Sequence, residues 1–546
     1  MANQDFKPII KDQYLAGQVY FACVVGLICL EAVSVLPAYL LKLFKSGPFV
    51  RRSHRHSTFY VFLHRLATLP SPVPFLTYHR IPDALRCLAF IGLNMLFGWN
   101  RLKYTTDYKL YGWLCIANGG VSLLLASRTN LFSTILRIPP PVLLYYHRLV
   151  GLATIFHGTF HWATTAAHYV RTKQLATVLA SGFTQAGLVA WAALMIIALT
   201  AILRVVRRNA FEVFYYAHFF FIVYVIGACV HAKHSPEFLL PGLGLWLADR
   251  GWRFYYNFRR VTPKSVVHYP GGVTKFKLEG LRVTRPNQMA WIQLPSISFF
   301  NWHPFTIASA PGDPITTIAV RGLGGFTKKV QNLAIEGYTP DGEKLDPRSP
   351  VAIPPHAVKI RVDGPYGHPS LQWEQYPVVV LIAGGIGITP AISIASHIIH
   401  WASQSGCSGS LEEETRYIHI LWTIKDITHA QWFEEEMIEM ARRIEEENIP
   451  VSLDISIFAS GLKKTESLEE ALIANEGYVF SGPATVHQGR PDVEAWLKDV
   501  RRRRCGLDAA VNLCGPRPLV DAARKAASMV SKERGIFHVE EEVFEF

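Results

Sequence analysis

Two apolar stretches of this 546-residue chain each carry a pair of histidines: His147 and His161 in one, His218 and His231 in the other. Ionisable side chains are costly at membrane depth and rarely sit there without a partner or a task. Apolar residues crowd the first 250 positions and ordinary mixed sequence follows, so the chain reads as a membrane half and a soluble half.

Seven segments are long and apolar enough to span a core of roughly 30 Å. They run approximately 17–40, 83–100, 108–126, 142–168, 182–203, 211–232 and 237–256. The first continues to Leu41 without a small-residue cleavage site and reads as a retained helix. The stretch 42–82 carries Lys42, Lys45, Arg51, Arg52, Arg55, Arg65 and Arg80, and the loops 127–141 and 204–210 are also basic. These three alternate so as to share the cytoplasmic side. The N-terminus then faces away from the cytosol, and the soluble half faces it.

On that reading the fourth and sixth helices run in the same direction. His147 and His218 lie near the cytoplasmic leaflet, His161 and His231 near the other. The spacings are 161 − 147 = 14 and 231 − 218 = 13. At 1.5 Å per residue these separate the ligands by about 20 Å along the axis, which suits one haem per leaflet. Fourteen steps return to within ~40° of the starting face, but thirteen miss it by ~140°, so the sixth helix is expected to be distorted or to approach its two haems from different sides. His157 is a rival for His161, four residues away on the same face.

The net charge of +13 sits largely in loops beside membrane segments. No basic stretch is interleaved with aromatics in a nucleic-acid recognition pattern. The run Arg501 to Arg504 and the acidic stretch Glu434 to Glu447 read as solvated surfaces. The eight cysteines form no CxxC pair and no disulfide or zinc framework.

From about 262 short alternating runs begin. Val273–Leu278 and Trp291–Leu294 read as strands of a small antiparallel barrel, with Asp363–Gly367 closing it. Val378 to Ala383 then forms a continuous apolar strand that leads into Gly384-Gly-Ile-Gly-Ile-Thr-Pro390 and a helical stretch. Strand, glycine turn and helix is the context in which such a loop cradles a pyrophosphate. Strands at Tyr417–Thr423, Val451–Phe458 and Ala510–Leu513, with helices between, give an α/β nucleotide-binding layout.

HPFTIAS at 303–309, GGIGITP at 384–390 and CGPRP at 514–518, following the histidine-bearing membrane half, resemble the ferric reductase and NADPH oxidase superfamily, most closely the fungal ferric-chelate reductases. The resemblance implies a helical transmembrane domain over 1–258 holding two b-type haems, an FAD-binding antiparallel β-barrel over 259–370 of the ferredoxin-reductase type, and an NADP-binding α/β domain over 371–546. By resemblance His147, His161, His218 and His231 are the haem ligands. His303, Pro304, Phe305, Thr306 and Ser309 match the segment that holds the flavin, and Gly325 and Thr327 a loop near its pyrophosphate. Gly384, Gly385, Gly387, Thr389 and Pro390 match the NADPH pyrophosphate loop, and Arg490 the arginine that selects the 2′-phosphate, a task suited to a guanidinium fork. Cys514 and Gly515 match the pair beside the nicotinamide, and Phe546 the terminal aromatic over the flavin. Asn287 stands where the family often has glycine, and Lys425 where it often has arginine.

The resemblance implies electron transfer from cytosolic NADPH through FAD and two haems to an acceptor on the opposite face of a plasma or vacuolar membrane. The expected acceptor is a ferric or cupric chelate, since the outer loops show no carboxylate or thiol cluster for bare iron. Reduction of O₂ to superoxide is the alternative.

Overall fold

The computed structural model describes residues 10–33, 55–68, 80–99, 108–256, 259–298, 301–336, 349–367, 369–404, 416–461, 480–504 and 506–542. Its longer helices are α1 (Gln13–Cys29), α2 (Thr58–Thr68), α3 (Ile81–Trp99), α4 (Tyr108–Leu125), α5 (Pro140–Arg171), α6 (Gly182–Ile202), α7 (Phe211–His218), α8 (Phe221–His231) and α9 (Ser235–Tyr256). Two compact units form. One takes in α1 and Pro82–Tyr255, and the other takes in α2 and the chain from Tyr256 onward.

The first unit is helical. α1 buries Ala16, Tyr20, Val24 and Ile28, a four-residue repeat that lines one face, in a cluster with Leu114, Ala117 and Val121 of α4 and Tyr146 and Val150 of α5. Polar groups inside this core are paired. The Tyr20 hydroxyl donates to Asn94 Oδ1 at 2.8 Å, and Asn118 Nδ2 meets His157 Nδ1 at 3.3 Å. Asp249 of α9 ion-pairs with Arg253 and accepts from the backbone N–H groups of Arg128 and Thr129, so its charge is tied to a chain turn. α5 opens on Pro140, whose missing N–H costs nothing at a first helical position.

Among the described residues three helices are both long and apolar enough to cross a membrane: Ile81–Gly98, Gly182–Ile202 and Phe211–His231. Seven were expected on sequence. α5 falls short in mean hydropathy because it carries His147, Arg148, His157 and His161, and α1 is described over only 17 residues.

The sixth apolar segment is broken, the first of the two arrangements its histidine spacing allows. Phe219 and Phe220 separate α7 from α8, and Phe219, Phe220 and Ile222 donate to the carbonyls of Tyr216, Ala217 and Phe219, three residues back rather than four. Such bonds wind the chain at about 120° per residue instead of 100°, so three of them recover about 60° of the ~140° deficit between His218 and His231.

The second unit opens with two four-stranded antiparallel sheets. Their strands are β1 (Arg259–Val261), β2 (Ser265–Tyr269), β3 (Val273–Leu278), β4 (Met289–Gln293), β5 (His303–Thr306), β6 (Thr316–Arg321), β7 (Val351–Ile353) and β8 (Ile360–Tyr366). The orders are β1-β8-β4-β5 and β6-β3-β2-β7. The expected closed barrel is thus a pair of open sheets, linked by the bridge Ile307–Ile318. Strands such as β1 and β7 have three residues each, too short to supply a continuous ladder around a barrel. The inner faces pack Val266, Phe276, Ile292, Ile318 and Val362 into one core. Helix α10 (Gly325–Glu336) covers it through Phe326 and Val330.

A six-stranded parallel sheet follows, built from β9 (Val378–Gly384), β10 (Arg416–Ile424), β11 (Val451–Ala459), β12 (Thr485–Gln488), β13 (Ala509–Cys514) and β14 (Phe537–Glu542) in the order β12-β11-β10-β9-β13-β14. Helices α11 (Ile388–Gln404), α12 (Glu434–Glu446), α13 (Val493–Arg503) and α14 (Arg517–Val530) cover its faces. β9 is buried throughout, as parallel strands sandwiched between helices are. The chain leaves β9 for β10 on one side and later adds β13 on the other. The carboxyl end of β9 is therefore the topological switch point where such sheets bind ligands.

Candidate functional site

The two histidine pairs come together inside the first unit. The ring centres of His147 and His218 lie 6.2 Å apart, and those of His161 and His231 lie 6.1 Å apart. Along α5 the fourteen-residue spacing separates the two pairs by about 21 Å. His147 Nδ1 sits 3.1 Å from the Ser122 carbonyl, His161 Nδ1 2.6 Å from that of Tyr108 and His231 Nδ1 2.7 Å from that of Phe183. A carbonyl only accepts, so each Nδ1 carries the hydrogen and each Nε2 keeps its lone pair. Metal-bound histidine is held in just this way, by an outer acceptor that fixes tautomer and ring orientation. His218 Nδ1 has no hydrogen-bond partner among the described residues.

The separations suit one metal between each pair. An imidazole nitrogen binds a transition metal at about 2 Å and the ring centre lies roughly 1 Å behind it, so two axial imidazoles on one ion stand about 6 Å apart. Among the described residues no group of three or more His, Cys, Asp or Glu gathers, so each pair brings two imidazoles and no further side-chain donor of these types. This is the donor arrangement a haem takes. His157 is buried and faces Asn118 rather than a second imidazole.

Glycine makes room for two of the rings. A Cβ on Gly187 would lie 2.6 Å from His231 Nδ1, and one on Gly112 would lie 3.2 Å from the His161 ring. In each case the ring crosses the helix at glycine and reaches the carbonyl four residues earlier, Phe183 for Gly187 and Tyr108 for Gly112.

In the second unit, β5 pairs His303, Pro304 and Phe305 with Ile292, Trp291 and Ala290 of β4, and the His303 ring stacks on Phe326 at 4.0 Å. Thr306 is buried at the strand end. The Ser309 hydroxyl accepts from Thr317 N and donates to the Ile315 carbonyl, while Thr327 Oγ1 accepts from Leu323 and Gly324 N–H at the start of α10. Both hydroxyls hold their own turns. Gly325 begins that helix.

The glycine loop Gly384–Gly387 lies between β9 and α11, with Thr389 and Pro390 in the first turn of α11. A Cβ on Gly387 would run into the Cys514 carbonyl, and Gly384 packs against Gly515 and Pro516. The sheet thus brings the loop and the CGPRP segment together. Trp422 Nε1 donates to the Gly385 carbonyl at 2.8 Å. Arg490 is exposed just beyond β12, after Gly489, whose φ is +80°. Phe546 lies outside the described residues.

Three features were not singled out on sequence as site residues. Parallel pairing of β13 with β14 sets Cys514 opposite Glu542. Asn512 Nδ2 donates to Glu542 Oε1 at 2.9 Å, and the Asn287 side chain also bonds this carboxyl. Burial, outweighing those two amides, pushes Glu542 up to about 8, and the nearby Glu540 adds to the rise. Burial also holds the Cys514 thiol well above its ordinary range, so it is neutral. Asn287 itself has φ +62°, a left-handed conformation that asparagine tolerates and most residues do not, which accounts for its standing where relatives often have glycine. An alternating His-Val-Glu-Glu-Glu run near the chain end carries little signal of its own, because acidic runs are ordinarily solvated.

The described molecule combines a helical membrane part with a nucleotide-binding α/β sheet and a flavin-type antiparallel domain, the layout of a transmembrane oxidoreductase. Three family models match in the same order: Ferric reductase like transmembrane component over 111–229, FAD-binding domain over 261–370 and Ferric reductase NAD binding domain over 376–528. The chain belongs to the ferric reductase and NADPH oxidase superfamily. Human NADPH oxidase 3 is 26% identical over 66% of this chain and 69% of its own length. Mus musculus NADPH oxidase 1 is 26% identical over 65% of this chain and 65% of its own. Arabidopsis thaliana ferric reduction oxidase 7, chloroplastic, is 30% identical over 54% of this chain and 40% of its own. The chain thus spans about two thirds of the length of these oxidases and less than half of the plant reductase. Among solved structures, a ferredoxin NADP+ reductase from Neisseria gonorrhoeae aligns over 52% of this chain and 98% of its own, at 11% identity and TM-score 0.32.

Proposed function

We propose that this protein passes electrons from cytosolic NADPH across a membrane to a ferric chelate on the far side, with FAD and two b-type haems as resident cofactors. The observation that carries this reading is the two imidazole couples with ring centres 6.2 and 6.1 Å apart. When bound, the flavin supplies the change from two-electron to one-electron chemistry and the haems supply one-electron relay.

The chain's own residues do the rest. His147 with His218, and His161 with His231, would hold a haem iron, while the carbonyls of Ser122, Tyr108 and Phe183 fix three of the rings. The backbone N–H groups at the start of α11, over Gly384, Gly385 and Gly387, would receive the pyrophosphate of the nucleotide. Arg490 would bind the 2′-phosphate through its guanidinium. The neutral Cys514 and the protonated Glu542 line the nicotinamide end without adding negative charge beside an electron-rich ring. On this reading the basic stretch 42–82 and the second unit lie on the cytosolic side, and the N-terminus does not. The domain limits 1–258, 259–370 and 371–546 belong to the same proposal.

A second reading has O₂ as the acceptor, favoured by the relatives that are named NADPH oxidases. A reduced-minus-oxidised spectrum taken with NADPH, repeated with ferric chelate and with O₂ alone, separates the two. Reoxidation by chelate under argon supports the ferric reading, and superoxide release without any chelate overturns it.

A further inference from the structure

Helix α2 has two faces that do different things. Val61, His64, Arg65 and Thr68 form a stripe spaced i, i+3, i+4 and i+7, and this stripe docks on the nucleotide-binding sheet. Val61 and Thr68 are buried, His64 Nε2 meets the Phe537 carbonyl at 3.1 Å, and Arg65 Nη2 donates to the Ser531 carbonyl. The approach to the helix is fastened too. His56 pairs with Asp508 at 3.0 Å, and Arg55 and Thr58 hold Glu533 at 3.0 and 2.7 Å.

The opposite stripe, two residues out of phase and so about 200° around the helix, is Phe59, Phe62, Leu63 and Leu66. All four are exposed, Phe59 at 69% and Phe62 at 58%. A stripe of two phenylalanines and two leucines left in water is the signature of an unmet partner.

We propose that this stripe inserts into the cytosolic leaflet of the membrane the chain spans, so that α2 is an in-plane interfacial helix fastening the nucleotide-binding domain to the lipid surface. Two observations single out lipid. First, besides Arg55, Arg65 and Arg80, which Glu533, the Ser531 carbonyl and Glu541 engage, residues 42–80 contain Lys42, Lys45, Arg51 and Arg52 and no aspartate or glutamate. That imbalance matches an anionic leaflet, and a basic, apolar-striped helix is what such surfaces bind. Second, α2 lies between apolar segments in the chain. Only 81 − 68 = 13 steps of chain lead from Thr68 to Ile81, the start of a membrane-length helix, a reach of at most about 45 Å. The same helix holds Phe537 and Ser531, so the lipid contact bears on β14, the strand that ends in Glu542.

The test uses the full-length protein in nanodiscs of phosphatidylcholine with a minor fraction of phosphatidylserine and a lipid bearing a diazirine on its acyl chain. After photolysis, peptide mapping is expected to find lipid adducts on Phe59, Phe62, Leu63 and Leu66 but not on Val61 or Thr68, alongside adducts on α6. Replacing Phe62 and Leu66 by glutamate is expected to cut α2 adducts about tenfold while α6 adducts persist. Adducts on α6 with none on α2 overturn the proposal. So do cross-links from α2 to a second copy of the chain in place of lipid.

Discussion

The rings of His161 and His231 stand with their centres 6.1 Å apart and their planes inclined at 63°, and each donates its Nδ1 hydrogen to a main-chain carbonyl. With tautomer and ring angle set by the backbone, either histidine alone is a poor site and the two together are a preformed one. Changing His161 or His231 to alanine is expected to remove about half of the haem b per chain, and changing His147 or His218 the other half. A pyridine haemochrome assay on purified variants reads this directly. Full haem content in any of the four would refute the assignment of that residue.

Alanine at Gly187 would put a methyl group 2.6 Å from His231 Nδ1 and push the ring off the Phe183 carbonyl. Loss of an outer hydrogen-bonding partner typically weakens metal affinity by about 10- to 100-fold, so Gly187→Ala is expected to lower haem retention on dilution by about tenfold. Gly26→Ala, with nothing within 4 Å of its added carbon, is the matched control.

Lys275 of β3 is buried and ion-paired with Glu436 of α12 at 2.9 Å, under the rings of Tyr269 and Phe433. Removing one partner strands a buried charge. Glu436→Gln is expected to cost roughly 3 kcal/mol, whereas joint replacement by Met and Leu recovers most of it. Thermal-shift measurements with and without the second change check the pattern.

Glu542 titrates near 8 when folded against an ordinary value of 4.5. Below pH 4.5 the group is neutral in both states and costs nothing. As pH rises towards 8 the unfolded chain gains by ionising while the folded group stays neutral, so stability is lost across that window. Glu542→Gln is therefore expected to be nearly neutral near pH 4.5 and stabilising by up to about 4 kcal/mol at pH 8. An equal effect at both pH values would contradict the buried, proton-bearing carboxyl.

Arg490 is exposed, so its replacement should leave the fold alone. Loss of a charged hydrogen-bonding partner is worth about 1.5–3 kcal/mol, which predicts at least roughly a tenfold rise in KM for NADPH with little change in kcat and none in KM for NADH. Steady-state kinetics with both nucleotides distinguishes this from general damage.

Periodicity carried much of this structure into the sequence. Val273–Leu278 is a strand over the span its alternation implies, and the strand before the glycine loop matches to within a residue. The distortion between His218 and His231 was one of two outcomes that a thirteen-residue spacing on a helix allows, the other being an approach from different sides. Other parts left no trace. The carbonyls of Tyr108, Phe183 and Ser122 act through main-chain atoms that every residue type possesses. Glu542 became part of the site only through a parallel register with Cys514, a pairing between segments 28 residues apart that no local pattern encodes. The closed barrel was over-read, because alternation reports which face of a strand is wet and not whether a sheet meets itself.

The break at Phe219–Phe220 makes the two ligand-bearing partners mechanically unlike. α5 is one continuous ruler, and inserting a residue anywhere between His147 and His161 would swing one ring by about 100° out of line with its opposite number. The other partner has a joint, where a change of length has somewhere to go. Any retuning of the distance between the two histidine levels therefore has a tolerant side and an intolerant one, and the tolerant side is the one already wound off the α-helical pitch.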